Sequence, residues 1–81
     1  MHLTIITPDK KVFEGEVIAV KFPGTEGPFQ VLKDHAPLIS TLEKGAILYS
    51  DKRGAHTVAI EGGIVEVLDN KIIVLMEETH L

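Results

Sequence analysis

Short runs of β-branched and aliphatic residues, separated by turn residues, recur along the whole sequence. The runs predicted to be strands are 3–7, 12–22 with an interruption at Gly15, 29–32, 46–50, 55–61, 64–68 and 71–76. Within 55–61, His56, Val58 and Ile60 alternate with smaller residues. A period of two in short segments is typical of half-buried strands. The pattern predicts an all-β sandwich or barrel.

The segments between these runs carry turn residues. Asp69-Asn70 predicts a tight hairpin turn, and the bracketing glycines Gly24 and Gly27 predict a turn that needs positive φ. Gly62-Gly63 predicts a bend or a close approach of two backbones. The nearest approach to a helical period is the stretch 36–45, but Pro37 and a Ser-Thr pair weaken it.

Length and composition predict one small domain spanning residues 1–81. Hydrophobic residues make up 44% of the 81 positions, which is typical of a globular chain. Aromatic residues make up only 5%, and there is no Trp. The core is therefore expected to consist of Val, Ile and Leu.

The charge and the residue types exclude several classes of function. The formal net charge is -4, whereas nucleic-acid-binding proteins usually carry a basic patch. The absence of cysteine excludes thiol catalysis, disulfides and cysteine-based zinc sites. No apolar run is long enough to span a bilayer, and the N-terminus does not resemble a signal peptide. These features predict a cytoplasmic protein without membrane insertion.

Candidate catalytic and metal-binding residues do not form a recognisable pattern. The four histidines lack the helical i, i+4 spacing of a zinc pair; they are His2, His35, His56 and His80. His35 follows an acid directly, and in a strand such neighbours point to opposite faces. We therefore expect no catalytic residue, no metal and no cofactor. An enzymatic function would require His35 and an acid to meet in a cleft with a strongly perturbed pKa.

Two non-enzymatic functions are also compatible with a short all-β chain. Lys52 lies in the predicted hairpin turn 51–54, as does the modified lysine of lipoyl and biotinyl carrier domains, but Arg53 beside it does not fit the carrier pattern. A ligand-binding sandwich would require the few aromatic side chains to converge on a concave site; these are Phe13, Phe22, Phe29 and Tyr49.

Four motifs in order resemble the epsilon subunit of rotary ATP synthases. They are the opening TPDKKVFEGEV at 7–17, PGTEG at 23–27, HAPL at 35–38, and GGIVEV at 62–67 followed by KIIVL at 71–75. Each motif alone is weak, but together they cover the chain from about Leu3 to Met76 in register. The resemblance implies a flattened β-sandwich of about ten short, mostly antiparallel strands.

The resemblance also implies a function without chemistry of its own. Such a domain is a rotor subunit of the central stalk, which binds the gamma subunit and the loops of the c-ring. It couples ring rotation, driven by protons or sodium ions, to ATP synthesis in the catalytic head. The expected location is peripheral, on the cytoplasmic face of the bacterial inner membrane. The isolated chain would be able to dimerise through a face that its partners normally cover.

Site residues follow from the same resemblance, position by position. The residues expected to contact the c-ring are Thr7, Gly24, Thr25, Glu26, Gly27 and Pro28. The residues expected to lie near the gamma subunit are His35, Ala36, Pro37 and Ser40. Most bacterial relatives continue into a pair of C-terminal helices, which the 81 residues are expected to lack.

Overall fold

The computed structural model describes residues 1–77, which form nine β-strands and no helix. The strands are β1 (His2–Ile6), β2 (Lys11–Glu16), β3 (Ala19–Phe22), β4 (Phe29–Leu32), β5 (Leu38–Leu42), β6 (Gly45–Asp51), β7 (Gly54–Ile60), β8 (Gly62–Leu68) and β9 (Lys71–Glu77). No part of the chain that the structure describes forms a helix able to cross a membrane.

The strands pack as two sheets. The five-stranded sheet has the order β2-β1-β9-β8-β5, and the four-stranded sheet has the order β4-β3-β6-β7. Neighbouring strands are antiparallel except β1 and β9, which run parallel. The molecule measures 36 × 28 × 19 Å, so the predicted flattened, mostly antiparallel sandwich is confirmed.

The core between the sheets is aliphatic, as the composition predicts. Side chains that are under 2% exposed are Leu3, Ile5, Val20, Phe22, Val31, Ile47, Ile60, Val65, Val67, Ile72 and Val74. They come from both sheets and occupy alternate positions along their strands, because successive side chains in a strand point to opposite faces. Burial of this apolar area is the main force that holds the two sheets together.

Some details of the sequence prediction were wrong. The interruption between β2 and β3 lies at Val17-Ile18, and Gly15 is a paired strand residue opposite Leu3. Ile18 lies in this interruption, and its side chain is 61% exposed. The stretch with weak helical periodicity forms β5 instead, where pairing with β8 overrides local propensity.

The predicted turns are confirmed at two places. Asp69 and Asn70 have φ of 50° and 60°, the left-handed pair that a tight hairpin of two central residues requires. Gly63 lies where β8 and β9 approach closely, because a Cβ there would be 2.5 Å from the carbonyl oxygen of Leu75. Only glycine fits such a contact without moving backbone atoms.

Candidate functional site

The turn of residues 24–27 and the loop containing His35, which hold most of the predicted contact residues, lie at opposite ends of strand β5, whereas Ser40 lies within the strand. Its first residue, Leu38, pairs with Val67 near the β8–β9 turn, and the loop containing His35 leads into this end. Its last residue, Leu42, forms a bridge to Gly24 of the other predicted segment. The sandwich therefore presents these segments on separate ends of the molecule, joined by one edge strand.

The turn of residues 24–27 is fixed by hydrogen bonds to the end of β5. The amide of Gly27 donates to the carbonyl of Gly24 at 3.0 Å, which closes the turn. The amide of Thr25 donates to the carbonyl of Thr41 at 3.1 Å, and the two threonine hydroxyls are 2.6 Å apart. Thr25, Glu26 and Gly27 are themselves exposed, so the turn presents a shaped surface.

The two glycines of this turn serve different purposes. Gly27 has a φ of 124°, which confirms the predicted turn with positive φ. Gly24 has no positive φ. A Cβ at Gly24 would lie 2.6 Å from the carbonyl oxygen of Gly27 and 2.9 Å from the ring of Phe29. Gly24 is required by close packing.

The turn that follows β1 lies at the same end of the molecule as the turn of residues 24–27. The side chain of Thr7, however, forms hydrogen bonds within its own turn. Thr7 is only 6% exposed. Its hydroxyl oxygen accepts hydrogen bonds from the amides of Asp9 and Lys10 at 3.2 and 3.1 Å. The exposed groups of this turn belong to residues 8–10. Thr7 therefore shapes the turn, and its contact with a partner stays a prediction.

The loop of residues 33–37 is tied to the β8–β9 hairpin. The Asp34 amide donates to Asn70 Oδ1 at 2.7 Å, and Asn70 Nδ2 donates to Asp34 Oδ1 at 2.9 Å. Asp34 has a φ of 65°, a conformation that this reciprocal pair of bonds holds in place. His35 Nδ1 lies 2.7 Å from the Ala36 carbonyl oxygen, so the ring is bonded locally. Ala36 and Pro37 are exposed beyond it.

Ser40 differs from the rest of its predicted group. It pairs with the fully buried Val65, so its side chain lies on the inner side of β5 and is half-buried. Its hydroxyl donates to the Thr41 carbonyl at 3.1 Å. The residues of β5 on the outer face are Ile39 and Thr41. The outward position beside Ser40 is therefore Ile39, which is 67% exposed.

Ile39 belongs to an apolar patch on the outer face of the five-stranded sheet. We define the apolar patch as Ile39, Ile64, Ile73 and Leu75, whose exposed fractions run from 42% to 67%. Strand register places Ile64 between Thr41 and Leu75, and Glu66 between Ile39 and Ile73. Glu66 interrupts the patch, but a group of exposed aliphatic side chains on one sheet face is characteristic of a surface that another molecule covers. The sequence predicted a face that partners cover, but not which residues form it. The signal that could have identified them was the unbroken apolar run 72–76.

A charged cluster occupies the other half of this outer face. His2 Nε2 lies 2.9 Å from Glu14 Oε2, and Nδ1 lies 3.1 Å from Glu16 Oε1. Carboxylates only accept hydrogen bonds, so the protonated imidazolium satisfies both contacts. The hydrogen bond to Glu14, followed in size by the hydrogen bond to Glu16, raises the pKa of His2 above 6.5. Lys11 and His2 lower the Glu14 pKa, and the His2 bond lowers that of Glu16, both from 4.5.

The ligand-binding and enzymatic functions receive no support from the arrangement of their residues, whereas the carrier function keeps its predicted lysine position and lacks only the expected neighbour, since Arg53 stands beside Lys52. Lys52 does lie at the tip of the β6–β7 hairpin, as predicted. The aromatic rings form two separate pairs rather than a concave site, with ring centroids 4.4 Å apart for Phe13 and Tyr49 and 5.4 Å apart for Phe22 and Phe29. The carboxylate of Asp34 bonds to Asn70 and not to His35.

Among residues 1–77, no group of three or more His, Asp or Glu side chains is arranged to hold a metal ion. His80 lies outside the described residues.

Comparison with known proteins gives a consistent result. A family model described as "ATP synthase, Delta/Epsilon chain, beta-sandwich domain" matches residues 1–81. The chain is 46% identical over 80 residues to an ATP synthase epsilon chain of Nitratidesulfovibrio vulgaris. It is 48% identical over 77 residues to the ATP synthase epsilon chain of Chlorobaculum tepidum. The fold is similar to a chain in the cryo-EM structure of Euglena gracilis mitochondrial ATP synthase (OSCP/F1/c-ring), with a TM-score of 0.86 and 25% identity.

These relatives differ in how much of their length the chain covers. The matches take in 99% of this chain and 60% of the Nitratidesulfovibrio relative, but 94% of this chain and 88% of the Chlorobaculum relative. For the Euglena structure the values are 94% and 49%. The prediction about C-terminal helices concerns sequence outside the described residues and stays a prediction.

Proposed function

The chain belongs to the ATP synthase delta/epsilon chain β-sandwich family, and we propose that it is a non-catalytic subunit of the central stalk of a rotary ATP synthase. The observation that carries this proposal is the family match over residues 1–81, together with 46–48% identity to bacterial epsilon chains. In this role the domain couples rotation of the membrane ring to ATP synthesis in the catalytic head. Protons or sodium ions drive the ring.

The apolar patch is proposed to pack against the gamma subunit, together with the exposed residues of the loop 33–37. Three features support this assignment. The patch exposes Ile39 and Ile73 at 67% and 47%, and permanent interfaces are richer in apolar residues than ordinary surface. The loop holding His35 leads directly into β5, so its exposed residues precede Ile39 of the patch closely in the chain. The bond between Asp34 and Asn70 holds the loop in one shape, which lowers the ordering cost of binding.

The opposite end of the sandwich is proposed to meet the loops of the c-ring. It carries the turn of residues 24–27 followed by Pro28, and the turn shaped by Thr7. Support comes from the contacts that hold these turns: close packing at Gly24 and the bond to Thr41 in the first, and the bonds to the Thr7 hydroxyl in the second. A rotor subunit must transmit torque without deforming at its contact surface. Turns that packing and hydrogen bonds already hold in one conformation meet that need. The protein would then lie peripheral to the membrane, on its cytoplasmic face.

Co-expression with the gamma subunit of the same organism tests the proposed function. We expect a one-to-one complex on size exclusion. Ile73→Lys and His35→Asp should weaken it at least about tenfold, because one buries a charge in the patch and the other alters the loop. Lys52→Ala lies at a remote hairpin tip and serves as the matched control. Separate elution of the two wild-type proteins at micromolar concentration and low salt would contradict the proposal.

A further inference from the structure

The sandwich has four sheet edges, formed by β2, β5, β4 and β7. A sheet edge presents unpaired backbone N–H and C=O groups that can pair with another strand. Folded proteins usually blunt such edges by charge, irregular pairing, shortness or cover. The four edges of this molecule differ in which of these devices they use.

Three of the edges are blunted. Strand β2 carries Lys11, Glu14 and Glu16, and its register with β1 shifts between Ile5 and Ile6. Strand β5 is covered at its C-terminal end by Gly24 and by the bond from the Thr25 amide. Strand β4 has only four residues. Each therefore offers a short, interrupted or charged edge to a second molecule.

Strand β7 has none of these protections. Its seven residues, Gly54–Ile60, include no Asp, Glu, Lys or Arg and pair with β6 in continuous register. Within residues 1–77, β6 is its only backbone partner. Its outward side chains are small, namely Ala55, Thr57 and Ala59. The free edge is consequently long, regular and open to a close approach.

The inner side of β7 is also incompletely covered. Val58 packs against the core but is only half-buried. His56 is likewise half-buried, with its ring stacked on Tyr49 at 4.9 Å and its Nε2 3.0 Å from Asp51 Oδ1. An added strand alongside β7 would remove the remaining apolar surface of Val58 from water. Pairing at this edge thus gains both backbone bonds and apolar burial.

We propose that β7 pairs with β7 of a second copy of this chain, antiparallel about Thr57, so that two four-stranded sheets become one of eight strands. In this register Ala55 lies opposite Ala59, His56 opposite Val58, and Thr57 opposite itself. No like charges face each other across the seam, which would otherwise oppose self-pairing. The seam lies away from the apolar patch. The proposal does not depend on the proposed stalk function.

Sedimentation equilibrium tests the proposal on the isolated chain. We expect the apparent mass to rise with concentration toward twice 8.9 kDa. Thr57→Lys should weaken association at least about tenfold, because the two lysines would meet at the seam. Ala55→Lys gives a second test if the first variant is poorly folded by circular dichroism. A chain that stays monomeric up to its solubility limit would overturn the proposal.

Two control variants separate the edge from the faces. Leu48→Lys changes the outward residue of β6 that pairs with Thr57, and Ile73→Lys changes the apolar patch. Both should leave association unchanged within about twofold. Loss of the dimer in either control, with Thr57→Lys still dimeric, would assign self-association to a face and overturn the edge proposal.

Cysteine crosslinking tests the register directly, because the chain contains no native cysteine. Oxidation of Thr57→Cys should give a disulfide-linked dimer. Thr41→Cys, on the covered edge strand β5, is the matched control and should stay monomeric. Equal crosslinking of the two variants would overturn the proposed seam. Hydrogen exchange gives a further test. If the β7 amides become protected only when the gamma subunit is added, the edge binds gamma and the proposal is overturned.

Discussion

At the scale of single residues, Gly63 is the position where the fold leaves least room. A Cβ there would meet backbone atoms of β9, at 2.5 Å from the Leu75 oxygen and 3.1 Å from the Met76 Cα. Backbone atoms in a paired strand cannot yield as a flexible side chain can. Gly15, in β2, gives a useful contrast, because its Cβ would meet only the end of the Phe13 ring at 3.1 Å.

Gly63→Ala should therefore lower the free energy of unfolding by about 1–3 kcal/mol, because β8 and β9 must separate to admit the methyl group. Gly15→Ala should change it by less than about 1 kcal/mol, since the ring can rotate away. Urea unfolding of the two variants measures both values. A loss as large at Gly15 as at Gly63 would contradict the explanation.

The cluster of His2, Glu14 and Glu16 gives stability a dependence on pH. The pKa of His2 is raised in the folded state, so its contribution is present below pH 6.5 and is lost as pH rises through the raised value. The pKa values of both glutamates are lowered, so their contribution is present above pH 4.5 and is lost as pH falls. The whole cluster contributes most between these two values.

The difference in unfolding free energy between the wild type and His2→Gln should accordingly be largest between pH 4.5 and 6.5 and shrink on either side. The effect should be small and should decrease in high salt, because the cluster is exposed and its charges are screened. Denaturant titrations across pH, at low and high salt, measure this difference. A difference that is constant across pH would rule out the imidazolium arrangement.

At the scale of elements, the β8–β9 hairpin positions the loop 33–37. Asn70 contributes a left-handed backbone and a side chain that bonds to Asp34. Asn70→Gly keeps the backbone conformation but removes both side-chain bonds. We expect the Asp34 amide to exchange at least about tenfold faster and the unfolding free energy to fall by about 1 kcal/mol.

Hydrogen exchange measured by NMR reports on that amide directly. Asp69→Gly is the matched control, because it changes the neighbouring left-handed residue of the same turn and leaves the bonds to Asp34 intact. Faster exchange at Asp34 in the control as well would mean that the backbone of the turn, and not the Asn70 side chain, holds the loop.

The elements that sequence reasoning found are those set by local chemistry. Alternating side chains identified β7, and the Asp69-Asn70 pair identified the β8–β9 turn, because both signals lie within a few neighbouring residues. The strand β5 showed no such pattern and is set by its pairing with β8. The bond between Asp34 and Asn70 joins segments 36 positions apart, so only the folded topology could reveal it. The orientation of the Ser40 side chain toward the inner side of β5 likewise depends on the register between β5 and β8.

At the scale of the whole molecule, the five-stranded sheet has an apolar core face and an outer face that carries the apolar patch beside the charged cluster. Ile72 is completely buried between the sheets, whereas its neighbour Ile73 is 47% exposed in the apolar patch. The core face determines stability, and the outer face is proposed to determine binding. These adjacent residues of the same type allow the two roles to be separated.

Ile72→Ala should lower the unfolding free energy by about 2–5 kcal/mol, through lost burial and the cavity that remains. Ile73→Ala should lower it by less than about 1 kcal/mol, because much of that side chain already contacts water. Denaturant unfolding distinguishes them, and a gamma-binding assay should show the loss of affinity in Ile73→Ala. Equal destabilisation by both substitutions would mean that the outer face is part of the folding core.

The parallel pairing of β1 with β9 also determines when the protein can finish folding during synthesis. Strand β1 leaves the ribosome before the other described strands and can pair with β2 at once, but its other neighbour is the last strand of the described chain. Closing so long a loop is slow compared with forming a hairpin such as β6–β7. The nascent chain therefore carries an unfinished five-stranded sheet, with the second edge of β1 unpaired, until β9 has been translated.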